Sequence, residues 1–480
     1  MERRVRRGER PDDGPTLAQR ALGGLREAWA PERQSRTALF ASALLLEVFA
    51  TLFGGASQTN ALSLMVVELA SLPLLFLALY SVLSGAAPRG LIVPSLILIG
   101  IVLTPALQLI PLPPEIWTHL PQRGQQAQVL DLAGLGRPAL PFTLTPQGAW
   151  RSLLGLAPPA AMFLGASMLT DPQRRVMVWT WIALGFVSLA IGALQMLGGA
   201  GGPLYFYEVT NPDSMVGLFS NRNHHASFLL CLLPLAAVFA AEFRRLAEDW
   251  RTFPPLLAML YFLVGIVGVA GIHSRAGLFL LVPALAGSLA VVASGGSLLG
   301  RWRSVVGLAI GGAVAVGLVL MVGLTPILDR FNGPGELRFE GWPIVLKTAQ
   351  SYLPLGAGVG SFDTVYRSVE PLTDVSTVYF NHAHNDYLEL WLETGVVGAG
   401  LFAAFVVWFL VRAYVVWFGR NGEGRNLAAA LTVVVLLLLA HSLLDYPLRT
   451  EAIEALFAFA CGTIAVYRPA PKVRVRREGA

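Results

Sequence analysis

Residues 427–444 read LAAALTVVVLLLLAHSLL, eighteen positions without one charged side chain. A helix needs about 20 mostly apolar residues to cross the hydrocarbon core of a bilayer. Comparable runs recur from Leu39 to Val466, and they are continuously apolar rather than alternating. A membrane barrel would show alternating segments of about ten residues. Backbone groups in lipid have to be satisfied within each segment, so continuous runs imply helices. Composition agrees: 55% of the 480 residues are apolar, 14% are charged and the mean hydropathy is +0.60. The sequence implies an all-α polytopic membrane protein.

Twelve spans fit the pattern: 38–54, 61–83, 91–111, 152–170, 176–197, 224–242, 255–272, 276–294, 304–323, 390–417, 427–444 and 450–467. An even number puts both termini on one side. With the termini inside, 25 of the 35 Lys and Arg fall on the cytoplasmic side, Arg412 included, although the other side has the longest loops. That is the charge bias that orients membrane proteins, and a miscount by one span would invert it midway. The chain then divides into a basic cytoplasmic tail (1–37), spans 1–9 (38–323), a large extracytoplasmic loop between spans 9 and 10 (324–389), spans 10–12 (390–467) and a second basic tail (468–480). The loop is punctuated by Gly and Pro but carries aromatics and an amphipathic stretch, which predicts a folded segment. Long loops are usually functional or disordered.

Several function classes are excluded at this level. The pI of about 9.4 and the net charge of +5 invite a nucleic-acid reading. The cations, however, scatter at span ends, as topology requires. Cys231 and Cys461 each sit inside an apolar run and make neither a metal spacing nor a disulfide framework. Nine Arg and three Pro precede position 37, so the N-terminus reads as a basic tail rather than a cleaved signal.

The strongest local motif is Asn381-His382-Ala383-His384-Asn385-Asp386-Tyr387-Leu388-Glu389-Leu390-Trp391-Leu392-Glu393-Thr394-Gly395. Asn385 reads as a helix N-cap. A helix from there would set His384, Leu388 and Trp391 near one face. At the outer membrane interface His384 suits a general base; the same residue also reads as an interfacial hydrogen-bonding His. In the short turn His273-Ser274-Arg275, Arg275 has to sit at the outer boundary, where a cation either binds phosphate as a rigid fork or snorkels. Arg338-Phe339-Glu340-Gly341-Trp342-Pro343 precedes a helical stretch to Tyr352. The run Pro354-Leu355-Gly356-Ala357-Gly358-Val359-Gly360 follows; without a Lys or a strand–helix unit it reads as a glycine turn rather than a phosphate loop. Asn221-Arg222-Asn223-His224-His225 opens span 6; adjacent histidines point apart on a helix, which argues against a shared metal. Glu47, Glu68, His441 and Asp445 complete the polar groups of the spans, where carboxylates are costly unless paired or protonated.

In order and type these pieces resemble the O-antigen ligase and Wzy-type polymerase family of bacterial envelope glycosyltransferases. Asn381 to Gly398 looks like that family's His-Asn…Leu…Glu-x-Gly signature. The Phe219–Asn223 stretch, Ser274-Arg275, the Arg338…Trp342…Pro354-x-Gly-x-Gly run and His441…Asp445-Tyr446-Pro447 look like its other landmarks, over roughly residues 205–450. The resemblance implies a GT-C-like fold in the bacterial inner membrane with its site facing the periplasm. It also implies a donor glycan on undecaprenyl diphosphate, no metal and no other cofactor. His384, Arg275 and Arg338 would be the catalytic groups. Asn221, Arg222, Asn223, His382, Asn385 and Asp445 would bind substrate. The acceptor would be lipid A–core for a ligase, a second lipid-linked repeat for a polymerase, or a protein hydroxyl. The rival of another class is a lipid-linked oligosaccharide transporter. Transporters place polar sites near the bilayer midplane in matching halves; here the polar groups crowd the outer face and the halves do not match.

Overall fold

The computed structural model describes residues 31–57, 59–246, 253–294, 337–373, 375 and 380–471. The described chain is mostly helical. It comprises α1 (Pro31–Phe53), α2 (Ala61–Ser81), α3 (Ile92–Gln108), α4 (Pro114–Trp117), α5 (Gly124–Leu132), α6 (Pro146–Gly155), α7 (Ala157–Met168), α8 (Asp171–Gly198), α9 (Arg222–Leu246), α10 (Phe253–Gly271), α11 (Arg275–Ser294), α12 (Leu337–Ser351), α13 (Phe362–Arg367), α14 (Asp386–Phe418), α15 (Arg425–His441) and α16 (Glu451–Val466). Pro111–Leu112 and Leu140–Pro141 pair as a two-stranded antiparallel ribbon that ties off the 112–151 loop.

Among the described residues, six helices are long and apolar enough to cross a membrane: residues 36–53, 61–85, 89–108, 171–198, 275–293 and 386–418. Two more are apolar but shorter. The span expected at 304–323 lies outside the described residues. The span expected at 152–170 is broken at Leu156 into α6 and α7. At about 1.5 Å per residue, the 12 residues of α7 cover less than the bilayer core.

Exposure separates two kinds of apolar helix. On α2, α3 and α14, Leu62, Phe76, Leu96 and Val407 are more than 60% exposed, a pattern that suits lipid and not water. In α15, by contrast, every residue from Leu427 to Val435 is buried. A helix that is apolar all round belongs in the interior. Accordingly α9 lies among α10, α11 and α15, while α16 packs on α7 and α1. Arginines expected on the inner side close three helix C-termini. Arg174 donates to Ala166 O and Ser167 O of α7. Arg425 donates to Val416 O and Trp417 O of α14. Arg412 donates to Ile464 O at the end of α16. A cation at a helix C-terminus satisfies orphan carbonyls and meets the negative end of the dipole.

The Gly-rich run has its explanation in α14. Gly395 interrupts that helix with φ +53° and ψ −136°. The opened turn receives residues 354–358: Ala357 N donates to Leu392 O, Gly358 N to Glu393 O, and Val396 N to Pro354 O, each 2.9 Å. Val359 N donates to Gln108 Oε1 at 2.7 Å. These amides face helix carbonyls and an amide side chain, so the run is a splice between two helices rather than a cradle for phosphate. A Cβ on Gly395 would lie 2.1 Å from Pro354 O. Gly395→Ala is therefore expected to cost about 3 kcal/mol or more, through backbone strain and that clash. Thermal unfolding of the purified variant in detergent would show it; an unchanged melting temperature would refute the splice.

Candidate active site

Four helix N-termini meet at the turn Ser442–Thr450, which joins α15 to α16. Asn221 precedes α9 and accepts from Asn223 N at 2.8 Å. Ser274 precedes α11 and accepts from Gly277 N at 3.0 Å. Asn385 caps α14, accepting from Tyr387 N and Leu388 N at 3.1 Å each. Thr450, just before α16, hydrogen-bonds His224 Nδ1 at 2.7 Å. The caps at Asn221, Ser274 and Asn385 follow a local rule: short polar side chains satisfy the orphan amides of a first turn. Only the fold brings them together. Ser274 Oγ donates to Asn223 Oδ1 at 2.7 Å, Asn223 Nδ2 donates to Asp445 Oδ2 at 2.6 Å, and Asp386 N donates to Ser442 O at 2.9 Å.

Asp445 is the hub, fully buried. His384 Nδ1 donates to its Oδ1 at 3.1 Å, and Tyr446 N donates to the same oxygen at 3.0 Å. His224 Nε2 and His441 Nε2 each stand 4.0 Å from the carboxylate. Burial opposes the charge of Asp445, but the His384 hydrogen bond and the surrounding imidazoles outweigh it and hold the carboxyl well below its usual range. A carboxyl depressed in the folded state stabilises the fold above its unfolded pKa of about 3.9 and loses that contribution only as pH falls through the folded value. At neutral pH Asp445 is thus an acceptor only, which puts the His384 proton on Nδ1 and, in the neutral ring, leaves Nε2 with the lone pair. The His384 side chain keeps 22% of its exposure.

The structure corrects the expected position of His384. It does not share a helical face with Leu388 and Trp391, because α14 begins at Asp386. His384 sits in the loop before the cap with φ +47°, a left-handed conformation uncommon outside Gly. His273, beside the Ser274 cap, has φ +54°. Such strain persists where surrounding contacts over-determine it. Here the contacts are Trp342 Nε1 donating to Ala383 O at 2.8 Å, Phe380 packed 5.7 Å from the His384 ring, and the Asp445 bond.

Beside this hub lies a second imidazole–carboxylate pair. His382 Nδ1 lies 2.8 Å from Glu389 Oε1, while Ala383 N donates to Oε2 at 3.0 Å. Tyr446 stands between the pairs, its ring 4.4 Å from His382 and 5.0 Å from His384. Behind Glu389, the nitrogens of Arg449 are shared among three carboxylates. Nη1 meets Glu389 at 3.2 Å, Nε meets Asp386 at 3.4 Å and Nη2 meets Glu393 at 3.4 Å. Burial alone would weaken the Arg449 charge, but these carboxylates raise its pKa above the ordinary value.

The other expected residues are distributed as follows. Asn221, Asn223, His382 and Asp445 belong to the cluster. Arg275 is the first residue of α11, half-buried and adjacent to Ser274. Arg338 lies in α12 one turn before Trp342, with its side chain outside the described residues. Arg222 Nη1 reaches Ser214 Oγ at 3.1 Å in the 198–223 loop. Asn385 uses its oxygen in the cap and its Nδ2 on Leu443 O at 3.1 Å, so its polar atoms are spent on structure. His224 and His225 point apart: His225 bonds Ser188 Oγ at 3.0 Å and Met215 O at 2.9 Å. Among the described residues no group of three or more His, Cys, Asp or Glu could hold a metal ion. Sequence reasoning missed Arg449, Glu389, Glu393 and Tyr446 as a unit. The signal was there: Glu389 and Glu393 lie four apart at the start of a span, where a carboxylate demands a partner.

Comparison with curated proteins finds no match. Residues 260–403, from within α10 through the His384 loop into α14, match the model of the O-antigen ligase family, so the resemblance read from the sequence holds over that segment.

Proposed function

We propose that this protein is a glycosyltransferase of the bacterial inner membrane. It would move a glycan from undecaprenyl diphosphate to an acceptor hydroxyl on the periplasmic side, with both termini cytoplasmic. The observation that carries the reading is the His384–Asp445 pair, set where four helix N-termini converge. In the proposed step the acceptor oxygen attacks the anomeric carbon and its proton passes to His384 Nε2. The anomeric carbon–phosphate oxygen bond breaks, and its electrons stay on the diphosphate. Asp445 orients the imidazole and stabilises the imidazolium that forms, as carboxylates do behind a general base. The leaving diphosphate needs positive charge in a poorly hydrated site. Arg275 at the α11 N-terminus, Arg338 one turn from Trp342 and the aligned helix amides are suited to supply it. We assign the ligase-type label ahead of the polymerase.

The test is purified protein with a lipid-linked donor and candidate acceptors, joined to lipopolysaccharide mass spectrometry from a deletion strain. Core without O-chain supports the ligase, and core with a single repeat supports the polymerase. Absence of any transfer in vitro together with an unchanged envelope glycan profile would overturn the reading. A second assignment of the base has one observation in its favour: His382, also held by a buried carboxylate, lines a cavity of about 800 Å³ between α2, α3, α6, α14 and α16.

A further inference from the structure

Asn223, the second residue of α9, stands between two buried groups from elsewhere in the chain. Its Oδ1 accepts from Ser274 Oγ, 51 residues on, at 2.7 Å. Its Nδ2 donates to Asp445 Oδ2, 222 residues on, at 2.6 Å. The sense of these bonds is fixed. Asp445 is ionised and only accepts, so the amide has to present its nitrogen there. Ser274 Oγ already accepts from Gly277 N at 3.0 Å, and its hydroxyl hydrogen goes to Asn223 Oδ1. On the other carboxylate oxygen, Oδ1, His384 Nδ1 and Tyr446 N donate at 3.1 and 3.0 Å. Donors thus converge on Asp445 from α9, from the loop before α14 and from its own turn. Two more imidazoles stand close by, His224 Nε2 at 4.0 Å from Oδ1 and His441 Nε2 at 4.0 Å from Oδ2. The torsion of a carboxylate is broad. Without Asn223 the group is free to pivot towards them, and a buried oxygen loses its donor.

We propose that Asn223 is a positioning residue for the transfer step: it pins Asp445 in the plane that accepts from His384 Nδ1, and Ser274 fixes which way its amide faces. The assignment deepens the His384 reading above and rests on it. It also moves Asn223 out of the substrate-binding set, since Oδ1 and a hydrogen of Nδ2 are engaged within the protein. In Asp445→Asn alone, the new amide nitrogen must face either Asn223 Nδ2 or Tyr446 N, donor against donor in both cases. In the second case it also donates to His384 Nδ1 and reverses the tautomer. Adding Asn223→Asp removes the conflict. The carboxylate at position 223 accepts from Ser274 and from the amide nitrogen at position 445. The amide oxygen at position 445 accepts from Tyr446 N and His384 Nδ1. The exchanged pair therefore restores every bond in the chain, and with it the proton on His384 Nδ1.

The first measurement needs no substrate. The full chain in lipid nanodiscs, isotopically labelled at the histidine nitrogens, is read by nitrogen NMR at a pH where the ring is neutral. His384→Asn assigns the signal by removing it. The parent is expected to carry the His384 proton on Nδ1 alone. Asp445→Asn and Asn223→Ala should show the Nε2-protonated ring as well, and Asn223→Asp combined with Asp445→Asn should return to Nδ1 alone. Asn221, not Asn223, caps α9, so Asn223→Ala keeps the helix start and decides the matter if the exchanged pair folds poorly. In transfer assays with the lipid-linked donor, Asn223→Ala should lower kcat about tenfold to a hundredfold, the scale of one hydrogen bond to a charged group, with KM for donor and acceptor within about threefold. The exchanged pair should exceed Asp445→Asn in kcat by about tenfold. Parental tautomer and kcat in Asn223→Ala, a raised KM alone, or an exchanged pair no better than Asp445→Asn each overturns the proposal. An altered tautomer with unchanged transfer overturns His384 as the base instead.

Discussion

Replacing His384 with Ala is expected to lower glycan transfer by about 10²–10⁴-fold while the protein stays folded and membrane-inserted, the usual range for loss of a positioned base. His384→Asn is the sharper variant. Asn tolerates the left-handed backbone at this position, and its amide can still donate to Asp445, but it cannot take a proton. Asp445→Asn should also lose most activity by a different route. Its amide can donate to His384 Nδ1, which moves the imidazole proton to Nε2 and removes the lone pair from the reacting side. Transfer assays with saturating donor, read beside thermal unfolding curves, separate catalysis from stability. Full transfer by His384→Asn, with loss in His382→Ala, would move the base to the His382–Glu389 pair.

The second large effect concerns stability. Arg449→Met would leave Asp386, Glu389 and Glu393 without the guanidinium they share. Breaking a buried ion network from one side costs about 3–5 kcal/mol because the remaining charges have no partner. That is a large fraction of an ordinary domain's total stability. Arg449→Lys is not conservative here, since three different guanidinium nitrogens serve three carboxylates and an ammonium is a single point. Size-exclusion profiles and melting curves should show Arg449→Met strongly destabilised. Arg449→Met with Glu389→Gln should be less destabilised than the two single changes added together, because removing one orphaned charge relieves part of the defect. Strict additivity would show that the groups do not act as a unit.

Asn385 shows how far the sequence reaches. Its position before Asp386 makes it an N-cap by local chemistry, and in the structure it is one. Ser274 and Asn221 cap helices by the same chemistry, although the sequence reading took Asn221 for a substrate-binding residue and Ser274 only as the neighbour of Arg275. The glycine run also read as a turn rather than a phosphate loop, from the missing Lys and the missing strand–helix unit. His384 shows where that reach ends. Its residue type and neighbours announce a candidate base, but a helical wheel put it on the wrong footing, because the helix starts two residues later. Its partner Asp445 lies 61 residues away, and nothing local connects them.

Six apolar spans among the described residues, the cap at Asn385 and the family resemblance, matched over 260–403, were determined by the sequence itself. Each depends on neighbours within a turn or on transfer from water to lipid, and both are properties of a short stretch. Tertiary structure alone decided that Asp445 gathers His384, that Arg449 is divided among three carboxylates and that Gly395 opens α14 to receive residues 354–358. Hydropathy cannot foresee such pairings, because lipid-facing and helix-facing residues are equally apolar in a membrane protein. What sets the arrangement is the cost of leaving buried charges and amides without partners, and that cost is settled between segments far apart in the chain.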